Sequence, residues 1–308
     1  MDINFFDRRW RPDWLVVDHW KTPTGWDLRR FRCGNGRAGS ILFQTGRADF
    51  FEKYLEAIAH WRDLGWSVEG FDWRGQGGSG RLLDNPRIGH APPFGVLVQD
   101  LSAYVKEWLA RTPGPHILIG HSMGGHLELR MLGQHGAKVD GMVLLSPMLG
   151  LRTGLLPPFV VRVMASLAGR IGMGHRAIWG GRKAGSGHRQ RNLTHSKQRF
   201  ADELWWRERE PMLDLGPPSW SWMRRAFASI ARFKTRWFVE RVTIPTLVLY
   251  AEKDRLVPAS AIRKICGRLP NARLRSHPTA AHELLREEDE ARDWANDEID
   301  RFLMAFSA

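Results

Sequence analysis

The stretch His116-Ile117-Leu118-Ile119-Gly120-His121-Ser122-Met123-Gly124-Gly125 constrains this chain more than any other. An apolar run of strand length meets a Gly-x-Ser-x-Gly turn, and a helical stretch from Gly125 to Gln134 follows at once. Small residues on either side of Ser122 let a strand and a helix approach closely, while the sharp turn strains the serine backbone and presents its hydroxyl. With 31 glycines in 308 residues the bare pattern can recur by chance, so its position between strand and helix carries the meaning.

Strand and helix patterns alternate on both sides of this junction. Trp14–Asp18 and Asp27–Cys33 read as paired strands about the Thr22-Pro23-Thr24-Gly25 turn, and Ser40–Gln44 as a short buried strand. Phe51, Leu55, Ile58 and Trp61 recur at helical spacing up to Gly65, after which Trp66–Asp72 returns to strand. Leu97, Leu101, Tyr104, Val105 and Trp108 mark a helix before the junction. Gly141–Ser146, Thr246–Tyr250 and Ala272–Ser276 are further strands, with helices over Ala259–Leu269 and along Ala295, Ile299, Phe302, Leu303 and Phe306. The pattern predicts an α/β class: a mainly parallel sheet flanked by helices.

Residues 149–241 break the rhythm. This interval holds Pro157-Pro158, Pro217-Pro218, a Gly/Arg-rich loop from Gly180 to Arg191, and Trp205, Trp206, Trp220, Trp222 and Trp237. Two amphipathic helices are expected in it, one along Val160, Val163, Met164, Leu167 and Ile171, the other along Met223, Phe227 and Ile230. The expected organisation is a core of residues 1–148 and 242–308 with a helical cap, 149–241, inserted after the sixth strand over the carboxyl edge of the sheet.

Charge is concentrated in the same interval. The net charge is +13, and Gly150–Glu240 alone holds 17 Lys and Arg against 6 Asp and Glu. From Gly150 to Arg199 there are ten basic residues and no acidic one. A block of one sign suits an anionic partner such as a lipid headgroup or membrane surface, the competing reading being a solvated face. No nucleic-acid-binding motif accompanies it, so no nucleic-acid partner is expected. Met1–Arg9 lacks the basic-then-apolar pattern of a secretory signal, and no apolar stretch reaches the length of a membrane span. Two distant cysteines, Cys33 and Cys266, read as separate thiols. A cytoplasmic protein, peripheral to the inner membrane face, is expected.

A serine hydroxyl becomes a useful nucleophile only with a base in hydrogen-bond reach and a carboxylate to orient that base. Asp254 fits the acid, on the loop four residues after Tyr250; Glu252 is its local rival but lies closer to the strand end. His282 fits the base, in the loop Pro278-Thr279-Ala280-Ala281-His282, whereas His277 is held near the strand end by Pro278. The oxyanion needs two preorganised N–H donors, expected from the backbones of Met123 and Arg47, with Gly46 permitting the turn. His121 cannot reach back to Ser122 and packs beside it; with Gly46 and Trp222 it is expected to border the substrate. The histidines show no metal-ligand spacing, so no metal is expected. Gly75-Gln76-Gly77-Gly78-Ser79-Gly80 satisfies a dinucleotide-binding pattern, yet prolines 86, 92 and 93 follow where a helix must open. It reads as a flexible loop near the active site, and no cofactor is expected.

With these residues in place, the chain resembles the monoglyceride lipase and L2-type lysophospholipase branch of the α/β-hydrolases. The likeness rests on Gln44–Tyr54, Phe71–Arg81, Gly120–Gly125 and the Asp254 and His282 segments, and it is weak in the cap. It implies an α/β-hydrolase fold, a Ser122–His282–Asp254 triad, oxyanion amides from Met123 and Arg47, and hydrolysis of an ester of a single-chain lipid. One departure stands in the oxyanion loop, where Thr45-Gly46 replaces the His-Gly common in such enzymes. The basic cap ranks a lysophospholipid above a neutral monoacylglycerol or general ester. An aminopeptidase or acyltransferase on the same triad, and a non-catalytic basic membrane-binding scaffold, are the remaining alternatives.

Overall fold

The computed structural model describes residues 7–179 and 187–306. Its strands are β1 (Val16–Lys21), β2 (Asp27–Cys33), β3 (Gly39–Gln44), β4 (Trp66–Phe71), β5 (His116–His121), β6 (Gly141–Leu145), β7 (Thr246–Ala251) and β8 (Ala272–His277). They form one sheet in the order β1-β2-β4-β3-β5-β6-β7-β8. The β1–β2 and β2–β4 pairs are antiparallel, and every pair from β4 to β8 is parallel. The helices are α1 (Leu55–Asp63), α2 (Phe94–Arg111), α3 (Met123–His135), α4 (Pro158–Arg170), α5 (Gly187–Leu193), α6 (Lys197–Arg209), α7 (Trp220–Arg232), α8 (Ala259–Cys266) and α9 (Asp289–Met304).

Alternation along the strands sorts side chains into two apolar layers, because successive residues of a strand face opposite sides. Ile41, Phe43, Ile117, Ile119, Val143 and Leu145 pack with Leu55, Ile58 and Trp61 of α1 and Ala295, Ile299 and Leu303 of α9. Leu42, Leu118, Met142, Leu144 and Val248 pack on the other side with α2, α3 and α8. The central strands are buried on both faces, as a parallel sheet covered by helices requires.

Most element positions match the sequence pattern; β1 lies two residues later than expected, and α3 opens at Met123 rather than Gly125. The segment between β6 and β7 departs further. In α4 the buried face is Val161, Ala165 and Ala168, of which the first two join Met223 and Ala226 of α7 in one apolar cluster. The expected apolar set is turned the other way, since Val163, Met164, Leu167 and Ile171 are exposed. The reason is size: the close seam between α4 and α7 takes small residues, and the larger ones face out. Helix α6 was missing from the pattern because its buried face includes Arg199, Asp202, Glu203 and Arg207, charges held by partners rather than by apolar contact. Residues 180–186 of the expected Gly/Arg-rich loop lie outside the described residues.

Candidate active site

Ser122 stands between β5 and α3 with φ 51° and ψ −111°, a conformation that side chains other than glycine seldom adopt and that stores strain of about 1–3 kcal/mol. Three hydrogen bonds hold it there: its N–H to the Leu145 carbonyl at 2.8 Å, and its carbonyl to the N–H groups of Met148 (2.9 Å) and His126 (3.0 Å). Glycine is required on both sides. A Cβ on Gly120 would lie 2.5 Å from the Gly125 backbone, and one on Gly124 would lie 2.3 Å from the Gln44 carbonyl oxygen. The second contact seats the first turn of α3 directly on the end of β3.

His282 and Asp254 reach Ser122 from the loops after β8 and β7. His282 Nε2 lies 2.9 Å from Ser122 Oγ, and His282 Nδ1 lies 2.6 Å from Asp254 Oδ2. The other oxygen of Asp254 accepts from the N–H groups of Leu256 (2.7 Å) and Val257 (3.0 Å), which fixes the carboxylate. Burial opposes charge on both groups, yet each charge favours the other, so Asp254 lies below the usual carboxylate range and His282 above the usual imidazole value. The rivals lie elsewhere. Glu252 is half-buried and pairs with Arg263 at 2.7 Å, while His277 Nδ1 accepts from the Ala280 N–H at 3.0 Å.

Beside Ser122 lies the loop after β3. A Cβ on Gly46 would come within 3.2 Å of Ser122 Cβ, so the loop passes against the serine. The Gly46 N–H donates to Asp49 (3.2 Å) and the Ala48 N–H to Gln76 Oε1 (3.1 Å). The Arg47 N–H between them donates to no described group. The Met123 N–H, in the first turn of α3, has no acceptor within the helix either. Two backbone donors without acceptors, one in the residue after Ser122 and one in the loop that passes against it, have the composition of an oxyanion site.

His121 turns away from the serine. Its Nδ1 meets the Tyr54 hydroxyl at 3.0 Å and Asp49 at 3.5 Å, and its ring packs 4.9 Å from that of His282. Burial lowers its pKa against the pull of Asp49, and the ring forms a wall beside His282. Trp222 is also buried, 6.0 Å from the Phe94 ring and 5.2 Å beneath the Arg47 guanidinium. The Gly75–Gly80 run differs from the expected flexible loop: Gln76 and Ser79 are buried, and Gln76 Nε2 donates to the Gly46 carbonyl at 2.7 Å. Sequence reasoning missed Gln76, Asp49, Lys53 and Tyr54. The only trace was their position in the Gln44–Tyr54 and Phe71–Arg81 stretches.

Comparison with known proteins accords with this geometry. The model of the family described as serine aminopeptidase, S33, matches residues 36–289. Lysophospholipase L2 of Escherichia coli strain K12 is 32% identical over 274 residues, which cover 83% of this chain and 77% of that protein. A monoacylglycerol lipase of Mycolicibacterium smegmatis is 24% identical over 256 residues, covering 82% and 84%. Among solved structures, a soluble variant of monoglyceride lipase from Saccharomyces cerevisiae superposes with a TM-score of 0.76 at 17% identity, over 98% of this chain and 99% of that one. Matched by the family model over most of its length, the chain belongs to the S33 serine aminopeptidase family, in the lysophospholipase and monoglyceride lipase branch of the α/β-hydrolases.

Proposed function

We propose that this protein is a serine hydrolase that cleaves carboxylic esters of single-chain lipids, with a lysophospholipid as its foremost substrate. Ser122 Oγ attacks the ester carbonyl while its proton passes to His282 Nε2, and Asp254 stabilises the imidazolium. The N–H groups of Met123 and Arg47 receive the oxyanion. Collapse of the intermediate expels the alcohol, which takes the proton from His282. Water then attacks the acyl-enzyme with His282 again as base, releasing the fatty acid and restoring Ser122. Acyl transfer of this kind requires neither metal nor cofactor. The observation that carries the reading is the Ser122–His282–Asp254 relay, bonded at 2.9 and 2.6 Å, on a strained turn.

The names of the bacterial relatives support a lipid ester, and the monoacylglycerol lipase among them supports a neutral glyceride as the second reading. An aminopeptidase needs a carboxylate for the substrate ammonium. Near the site, Asp49 and Glu283 are each bound to Lys53 at 2.7 Å, which favours the ester. We assign residues 149–241 to a lid over the site, peripheral to an anionic bilayer. Phe159, Val163, Leu167 and Ile171 form one exposed stripe at four-residue spacing, with Arg162 and Arg170 of the same helix exposed too. Two buried unpaired thiols, Cys33 and Cys266, suit the cytoplasm, and the contact is then with the inner membrane face.

One assay panel tests this reading: esters of graded acyl length, monoacylglycerol, and anionic and zwitterionic lysophospholipids, with Ser122→Ala as the blank. The unaltered protein releases fatty acid from lysophospholipid fastest. Ser122→Ala retains its fold and loses turnover by about 10⁴-fold or more. Turnover that survives the substitution removes Ser122 from the mechanism.

A further inference from the structure

Many guanidinium groups buried in this protein are matched to carboxylates. Arg29 contacts Glu52 and Asp72, Arg207 contacts Glu203 and Asp214, and Arg286 contacts Glu203 and Glu283. Arg47 is different. Among the described residues no carboxylate lies within ion-pair distance of it. Its Nη2 donates to the Gly216 carbonyl at 2.6 Å, and its enclosed Nε has no acceptor. One face of the group covers the Trp222 ring, 5.2 Å from its centroid. The place is fitted to it, since a Cβ on Gly89 would fall 2.0 Å from Nη2.

Burial, with Arg189 and Arg207 nearby, lowers the Arg47 pKa to about 9, so at neutral pH it remains a cation without a counter-charge. Enclosed donors without acceptors are costly, and an anion with several acceptor oxygens would relieve both deficits at once. Position makes the deficit informative. Arg47 follows Gly46, which lies against Ser122, and its own N–H is an oxyanion donor in the function proposed above. One residue thus combines a backbone N–H in the loop against Ser122 with a side chain that reaches the Gly216 carbonyl and the Trp222 ring.

We propose that the Arg47 side chain binds the phosphodiester anion of the lysophospholipid headgroup, so that one residue sets the spacing between the phosphate and the ester cleaved at Ser122. This rests on the lipid-ester reading and gives it a specificity-determining residue. The planar guanidinium suits a phosphodiester, whose two unesterified oxygens can accept parallel N–H groups, better than a point charge does.

The test compares kcat/KM on lysophosphatidylglycerol and on monoacylglycerol of the same acyl chain. Both are presented in micelles of uncharged detergent, so that attraction to a charged surface does not enter. The ratio of the two within one variant is independent of how much of the protein is correctly folded. In Arg47→Gln the ratio of charged to neutral substrate falls tenfold or more, chiefly through KM for the charged one. Arg47→Lys, which keeps the charge and loses the fork, falls between. A ratio that changes less, or an equal loss on both substrates, overturns the proposal and leaves the ester-hydrolase reading standing. An unaltered enzyme that cleaves neither substrate overturns both. A second arm separates the sources of phosphate. Glycerophosphoglycerol competes with monoacylglycerol hydrolysis in the unaltered enzyme and ceases to do so in Arg47→Gln. Stronger competition by inorganic phosphate assigns the site to free phosphate and overturns the headgroup role.

Discussion

Asp254 and His282 share a bond of 2.6 Å that moves their proton affinities apart, the acid downward and the base upward. In the mechanism proposed above, His282 must be neutral to take the Ser122 proton. Activity is therefore expected to rise with pH as His282 loses its proton, and the raised pKa moves the acid limb of kcat/KM above that of an ordinary imidazole. Asp254→Asn removes the charge that raises it and permits the wrong tautomer. The expected result is a fall in kcat of about 10³–10⁴ with a limb moved to lower pH; a limb unmoved in a pH series of this variant contradicts the coupling. That Asp254 and His282 would meet at Ser122 was legible because triad chemistry imposes a chain order and a loop position on each. Gln76 and Tyr54 were not. They act across distances in the chain, Gln76 on Gly46 and Tyr54 on His121, and no local spacing marks a polar residue whose partner lies 30 or 67 positions away.

Periodicity located α4, but it did not say which apolar face would be buried, because Val161, Ala165 and Ala168 carry a weaker signal than Phe159, Val163 and Leu167. In α6 apolar periodicity gave too little signal, since ion pairs seat much of the helix. Glu203 contacts Lys53, Arg189, Arg207 and Arg286, tying α6 to the turn before α1 and to the turn after His282. Burial alone would raise its pKa, but the four cations hold it well below the carboxylate range. A carboxylate depressed in the folded state contributes stability that is complete above its unfolded pKa and is lost as pH falls below it. Glu203→Ala, which strands these cations, is expected to destabilise by about 3–5 kcal/mol. Glu203→Gln should flatten the acid side of a plot of Tm against pH. An unchanged acid profile would remove Glu203 from this role.

Across the whole molecule, the basic balance divides into two populations that composition alone could not separate. Arg199 and Arg207 are consumed in ion pairs with Glu56, Asp289, Glu203 and Asp214. Arg162 and Arg170 stand exposed on α4, the helix that carries the apolar stripe. Each exposed cation is worth about 1 kcal/mol at an anionic membrane surface. Cosedimentation with phosphatidylglycerol vesicles is therefore expected at low salt and is expected to weaken near 1 M, where the screening length shrinks to about 3 Å. Equal binding to uncharged vesicles would exclude a role for these arginines, and binding undiminished in Phe159→Ser/Leu167→Ser would exclude α4. The sheet has a different consequence. Ser122, Asp254, His282 and the Gly46–Arg47 loop all hang from β3, β5, β7 and β8, and Gly124 rests on the end of β3. None of these groups belongs to the segment between β6 and β7. Selection for a new substrate can therefore rewrite that segment most freely in α4 and least at Met148, whose N–H holds the Ser122 carbonyl, and at Glu203, while the reacting groups themselves are inherited.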